Sequence, residues 1–179
     1  MRRCIVGFFD ARPGFVEADV AITKAELYAF LRARDSGVVS TIGSDGSPQS
    51  ARVYIVTTPE LDLVFYTLQT NRKCLNLRRD PRLSAVIGCE DEHTVQYEGI
   101  AEEVDEHGFA DIKKLFLAAQ PQRSGMVDWP GLTFFRVKPV WIRFSDYGKP
   151  WHVDEFAFPE NKPEERRPRF GFFRRRDKS

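Results

Sequence analysis

The sequence predicts a mainly β fold, a closed or nearly closed antiparallel sheet of six strands with two or three short helices. Six β-rich runs are separated by turn signals, and their order with the helices favours such a sheet over βαβ repeats. The chain has 179 residues and is 42% hydrophobic, which is enough for one domain with a sizeable core. We therefore expect one barrel domain over residues 21–150.

The predicted strands are runs of β-branched and aromatic residues between turns. Runs 38–43 and 49–57 flank an Asp45-Gly46 turn and form a predicted hairpin. A second turn at 58–60 leads into a strand over 61–68. The remaining strands are predicted at 83–88, 94–104 and 132–145.

The predicted helices are identified by their caps and their apolar stripes. Thr23 and Glu26 form a capping box that begins a helix over about 22–36, and Gly37 is its expected stop. A second helix is predicted at 71–79, capped by Asn71, and a third runs from Asp105 to about 119.

Charge and cysteine usage restrict the possible partners and compartment. The 27 basic and 26 acidic residues give a net charge of +1, so composition offers no argument for a nucleic-acid or membrane partner. Cys4, Cys74 and Cys89 form no metal-binding or disulfide pattern, and a reducing cytoplasm fits them best. No segment has the length of apolar residues that a membrane span needs.

Both chain ends are expected to lie outside the barrel. Residues 1–20 are predicted to be a loose leader, because a six-residue apolar run is ended by charged residues and proline without a cleavage site. Residues 151–179 are predicted to be a charged, disordered tail. Eight Lys or Arg and four acidic residues occur from Glu160 to Ser179, together with prolines.

The sequence contains one candidate binding site, which is a possible site for a phosphate group. Strand alternation places Arg52 on the face away from the core. Thr67 ends the third strand, and Arg72 and Lys73 follow at a helix start, where unpaired N–H groups favour anions. The alternative is that Arg72 and Lys73 belong to the solvated face of a short helix, and spacing alone leaves both interpretations open.

Several segments resemble the pyridoxamine 5'-phosphate oxidase-like split barrels. The run Phe65-Tyr-Thr-Leu-Gln-Thr-Asn-Arg-Lys73, continuing to Val86, is similar to the family's strand-helix-strand core. Arg52-Val-Tyr-Ile55 resembles its Arg-x-Val-Leu segment, Gly99 matches a glycine of its fifth strand, and 135–144 is similar to its closing strand. The resemblance covers about residues 34–147 and implies an FMN-binding split barrel.

The resemblance also implies which residues bind the flavin. Arg52, Arg72 and Lys73 would hold the FMN phosphate, with Tyr66 and Thr67 lining the same site. The backbone of Val53, Tyr54 and Ile55 would run along the isoalloxazine ring, and Thr94 stands where the oxidase has a flavin-contacting Gln. The family binds flavin between two subunits, so a homodimer is implied.

The oxidase's own substrate motif is missing. After the closing strand the oxidase has a Trp and then Arg-x-His, whereas this chain has Ser145 at the Trp position and no Arg-x-His. We therefore do not expect vitamin B6 oxidation. The first hypothesis is an FMN-dependent oxidoreductase that transfers hydride or electrons between NAD(P)H and a small organic acceptor, without a catalytic side chain. The alternative is a non-catalytic module that binds or stores flavin, haem or deazaflavin.

Overall fold

A computed structural model describes residues 22–90, 92–148 and 150–162 of the chain. Seven antiparallel strands form one sheet in the order β3-β2-β1-β4-β5-β6-β7, and β3 also pairs with β6. That additional pairing closes β1 to β6 into a six-stranded barrel, with β7 as an extra strand outside the closure. The predicted barrel is therefore confirmed.

The elements follow one another with short connections. The strands are β1 Ser36–Ile42, β2 Pro48–Thr57, β3 Leu63–Leu68, β4 Arg82–Ile87, β5 His93–Glu103, β6 Leu132–Asp146 and β7 His152–Ala157. The helices are α1 Lys24–Arg32, α2 Arg72–Arg79 and α3 Glu106–Ala119, with 3-10 turns at Pro121–Arg123 and Pro159–Asn161.

The inner faces of the strands fill the barrel with apolar side chains. Phe65 of β3 stacks on Phe135 of β6 at a centroid distance of 5.6 Å, and both rings are buried. The buried Tyr97 places its hydroxyl 2.8 Å from the backbone oxygen of Val137. A Cβ at Gly99 would lie 2.6 Å from the backbone oxygen of Lys138, so the bulge at this point of β5 needs glycine.

The outer faces of the barrel are covered unequally. Helix α3 packs over β2, β3 and β6, where Ile112 and Phe116 join Val64 and Phe134 in a second apolar cluster. No helix of the described residues gives β1 and β4 the same cover: Val38 is 41% and Val86 is 37% exposed, and these two valines are cross-strand neighbours. We call the surface around this pair the open face.

Helix α1 is shorter than predicted. The capping box of Thr23 and Glu26 is confirmed, but the helix ends at Arg32, and Ser36 already belongs to β1. Gly37 is a buried strand residue instead of a helix stop, since a Cβ there would meet Ile87 at 3.0 Å. Close strand packing, rather than helix termination, explains this glycine.

The predicted disordered tail begins too early. Residues 152–157 form β7, which pairs with the second half of β6 from Trp141 to Asp146. Phe156 packs against the barrel core and Phe158 is buried, and these aromatic contacts offset the charge and proline content that predicted disorder. The predicted leader at residues 1–20 and the tail from 163 onward lie outside the described residues.

Candidate functional site

Strand β2 presents Arg52 to the outside, as its alternation predicts. Val53 and Ile55 are buried on the inner face, whereas Arg52 is exposed. Its guanidinium donates a hydrogen bond to Ser36 Oγ at 3.0 Å and lies 5.4 Å from the ring centroid of Tyr54. Within the described ranges no carboxylate lies within 4 Å of Arg52, so its charge is available to an anion.

The end of β3 and the start of α2 meet at one hydroxyl. Thr67 Oγ accepts hydrogen bonds from Asn71 Nδ2 at 3.1 Å and from Lys73 Nζ at 3.4 Å. Asn71 occupies the N-cap position, as predicted, but its side chain makes no cap hydrogen bond and turns back to Thr67. The pair of bonds therefore holds the ammonium group of Lys73 beside the strand end.

Lys73 is a partly buried cation that has no acidic partner among the described residues. Burial lowers the pKa of its ammonium group from the ordinary value. No carboxylate of the described chain lies within 4 Å of Lys73 Nζ. A desolvated ammonium group of this kind gains more from a bound anion than a solvated one does.

One cavity collects most of the predicted site. Its volume is about 200 Å³, and it lies between the outer face of β2, the end of β3, the start of α2 and the segment 126–132. Six predicted residues line it, namely Arg52, Val53, Tyr54, Tyr66, Thr67 and Lys73. It is also lined by Leu68, Asn71, Met126, Trp129 and Leu132, which sequence reasoning did not assign to the site.

Three predicted residues lie outside this cavity. Ile55 is a core residue with 1% exposure, and its backbone N–H and C=O are hydrogen-bonded to Asp35 and Gln120. Arg72 is exposed and faces Asp45; hydrogen bonds from Ser47 mainly lower the pKa of Asp45, and the charge of Arg72 adds to the effect. Thr94 lies three strands from β2, and its hydroxyl donates to the backbone oxygen of Gly88 at 3.3 Å.

The segment after α3 closes one side of the cavity. The guanidinium carbon of Arg123 lies 3.3 Å from the ring centroid of Tyr54, and the hydroxyl of Tyr66 donates to Met126 Sδ at 3.6 Å. Burial raises the pKa of Tyr66, and the charge of Arg123 opposes that shift. The local sequence carries no signal for these contacts, since they depend on where the turn returns to the barrel.

A second cavity of about 520 Å³ lies farther along β2. Ile55, Val56 and Thr57 line it together with Gln120 and the end of α1. Gln120 Nε2 donates to the backbone oxygen of Asp35 at 3.0 Å and to that of Ile55. The side-chain oxygens of Thr57 and Gln120 are buried and have no hydrogen-bond partner in the described structure. Strand β2 therefore connects the cavity at Arg52 and Lys73 with a second, more polar cavity.

The closing strand ends without the oxidase's substrate-binding residues. Ser145 is buried in β6 between Thr94 of β5 and Val153 of β7. Over the described ranges there is no group of three or more His, Cys, Asp or Glu side chains arranged to hold a metal ion. None of the helices in those ranges is long and apolar enough to span a membrane.

Comparison with known families supports the interpretation of the barrel. The family model for pyridoxamine 5'-phosphate oxidase matches residues 23–146, which is most of the described chain. No protein with a curated functional description matches significantly.

Solved structures share the fold at low sequence identity. A conserved hypothetical protein of Mycobacterium tuberculosis is 25% identical, with a TM-score of 0.62 over 74% of this chain and 90% of that one. A haem-binding protein of Mycobacterium smegmatis is 20% identical, with a TM-score of 0.64 over 77% of this chain and 59% of that one. An FAD-binding protein of Mesorhizobium loti is 16% identical, with a TM-score of 0.56 over 69% of this chain and 94% of that one.

Proposed function

Since the chain belongs to the pyridoxamine 5'-phosphate oxidase-like split-barrel family, we propose that it is a flavoprotein that binds FMN through the cavity between Arg52, Thr67 and Lys73. One observation carries the proposal: the two cations of this cavity have no carboxylate partner among the described residues, and one of them is partly buried. Such a pair is expected to bind a dianionic phosphate with charge-assisted hydrogen bonds.

The donors of the cavity suit a phosphate. Both acceptor positions of Thr67 Oγ are used by Asn71 and Lys73, so its own O–H is left to donate. Arg52 adds a planar guanidinium that can donate two parallel hydrogen bonds. Arg72 lies at the start of the same helix and contributes charge from outside the cavity.

The course of β2 supports a direction for the rest of the cofactor. Arg52 and Ile55 are three residues apart, or about 10 Å along a strand. A flavin with its phosphate beside Arg52 and its ring along the backbone of Val53 to Ile55 would reach towards the second cavity. That cavity is therefore the proposed binding place of the acceptor.

The proposed activity is an oxidoreductase reaction between NAD(P)H and a small organic acceptor. When bound, the flavin supplies the hydride or electron transfer. The residues of this chain bind and orient: Arg52, Arg72 and Lys73 are anchors, and the second cavity limits what approaches the ring. No side chain of the chain is required as a general acid or base.

The open face supports a homodimer with the flavin between its subunits. On adjacent strands, Val38 of β1 pairs with Val86 of β4 on one side and with Arg52 of β2 on the other. The exposed valines are therefore continuous with the proposed phosphate site. The side chain of Thr94 belongs to the outer side of β5, and a second copy could bring it to the flavin of its partner. The free thiols Cys74 and Cys89 fit the proposed reducing cytoplasm.

The proposed phosphate site of Arg52, Thr67 and Lys73 can be tested by titrating the purified protein with FMN. We expect yellow protein, and we expect Lys73→Ala or Arg52→Ala to weaken FMN binding by about 1.5–3 kcal/mol each, because each removes one charge-assisted contact. Lys114→Ala is the control, since Lys114 is an exposed lysine of α3 outside the cavity. Colourless wild-type protein that takes up no added FMN would exclude the proposal.

The catalytic part is tested separately by adding NADH or NADPH without air. Oxidised flavin absorbs at about 450 nm. Loss of this absorbance on adding the nucleotide, followed by its return on adding an acceptor, would support the proposed oxidoreductase activity. A bound flavin that neither nucleotide reduces would indicate the binding or storage module instead.

A further inference from the structure

Trp129 is an exposed aromatic ring at the cavity of Arg52, Thr67 and Lys73. It lines the same cavity as Arg52 and Lys73, yet 52% of its surface is exposed. Among the described residues, its indole ring has no aromatic partner and its N–H no hydrogen-bond acceptor. A flat apolar surface is therefore available beside the proposed phosphate position.

The position of this ring is held by the segment around it. Val127 is 2% exposed within the cluster under α3, and Asp128 forms an ion pair with Lys113 of that helix. The backbone N–H of Leu132 donates to the backbone oxygen of Trp129 at 3.1 Å. Because neighbours on both sides are anchored, Trp129 is presented to the cavity instead of hanging from a free loop.

The charge around the cavity exceeds what one phosphate requires. Arg52 and Lys73 lack carboxylate partners in the described part of the chain. Arg123 is stacked on Tyr54, and among the described residues only the carboxylate of Asp35 lies near it, at 3.9 Å. Arg123 does not line the cavity, but it stacks on Tyr54, which does. A third cation therefore lies next to the two at the site, where it suits the second phosphate of a diphosphate.

We propose that Trp129 is the stacking platform for the adenine ring of flavin adenine dinucleotide. The inference rests on the proposed flavin site and extends it. FMN ends at the phosphate held by Arg52 and Lys73, whereas FAD continues through a second phosphate and ribose to a purine. Stacking of a base on an aromatic side chain favours binding without needing further hydrogen bonds. Trp129 is thus the residue that distinguishes the two flavins.

The test compares the affinities of FAD and FMN for the full chain and its variants by isothermal titration. Wild-type protein is expected to bind FAD about tenfold or more tightly than FMN. Trp129→Ala should weaken FAD binding about tenfold more than it weakens FMN binding, and Trp129→Phe should retain most of the preference for FAD. Trp151→Ala is the matched control, because Trp151 is 43% exposed but lies outside the cavity.

The outcomes separate this inference from the proposed function. FMN binding without a preference for FAD, or equal weakening of both flavins by Trp129→Ala, overturns the adenine platform and leaves the flavin site standing. A wild-type protein that binds neither flavin overturns both. If Trp129→Ala changes only the oligomeric state, the ring is a subunit contact and the inference is wrong.

Discussion

The outward side of strand β2 is covered by helix α3 at one end and exposed at the other. At Val56 the outer side is buried under α3 in an apolar cluster with Val64 and Phe134. At Arg52, four residues earlier, it is exposed beside the valines of the open face. Tyr54, stacked under Arg123, stands at the boundary.

This difference separates stability from binding within one strand. The covered side contributes apolar burial and needs no partner. The open side presents cations and apolar side chains that the described residues leave uncovered, and these are the features expected of a ligand and subunit surface. Experiments that change one face and spare the other can therefore test the separation.

The largest expected effect is on the covered face. Phe134 is fully buried against Tyr66, Phe109 and Phe116, so Phe134→Ala should lower the free energy of unfolding by about 3–5 kcal/mol. Urea unfolding measures this loss of stability. The comparison variant Val86→Ala, at low protein concentration, should change the free energy by no more than about 0.5 kcal/mol. Similar losses of unfolding free energy for the two variants would contradict the proposed separation of a stabilising face from a binding face.

An intermediate effect is expected from the open face. Replacing both Val38 and Val86 by Ser should raise the dimer dissociation constant about tenfold or more, because two apolar side chains leave a buried interface. Sedimentation equilibrium measures it, and Leu115→Ser is the control, since Leu115 is 36% exposed on α3. A wild-type chain that is monomeric at micromolar concentration would exclude the dimer.

The smallest expected effect is a pH dependence of FMN binding. Burial lowers the pKa of Lys73, and a phosphate binds the charged form. Above the second pKa of the phosphate, about 6, affinity should be full up to that lowered lysine pKa, and it should fall as pH rises through the lysine pKa, before an ordinary lysine would lose its proton. Lys73→Arg should bind with an affinity that stays level over the same alkaline range, because guanidinium remains charged. A parallel fall in both proteins would assign the effect to another group.

Much of the fold was predictable because its signals are local. The capping box of Thr23 and Glu26, the Asp45-Gly46 hairpin and the strand alternation that exposes Arg52 need only neighbouring residues. The same locality explains the errors. Gly37 resembles a helix stop until Ile87 of β4 is seen beside it, and residues 152–157 resemble a tail until β6 provides a pairing edge.

The sequence by itself determined the order of the strands, the outward position of Arg52 and the placing of Thr67 and Lys73 on either side of a short turn. Only the tertiary structure decided that β3 pairs with β6 to close the barrel, that Met126 and Trp129 return to the cavity, and that Arg123 stacks on Tyr54 beside it. Periodicity and caps act between residues a few positions apart, whereas closure and the cavity walls join residues about 60 or more positions apart in the chain, for which a local pattern carries no signal.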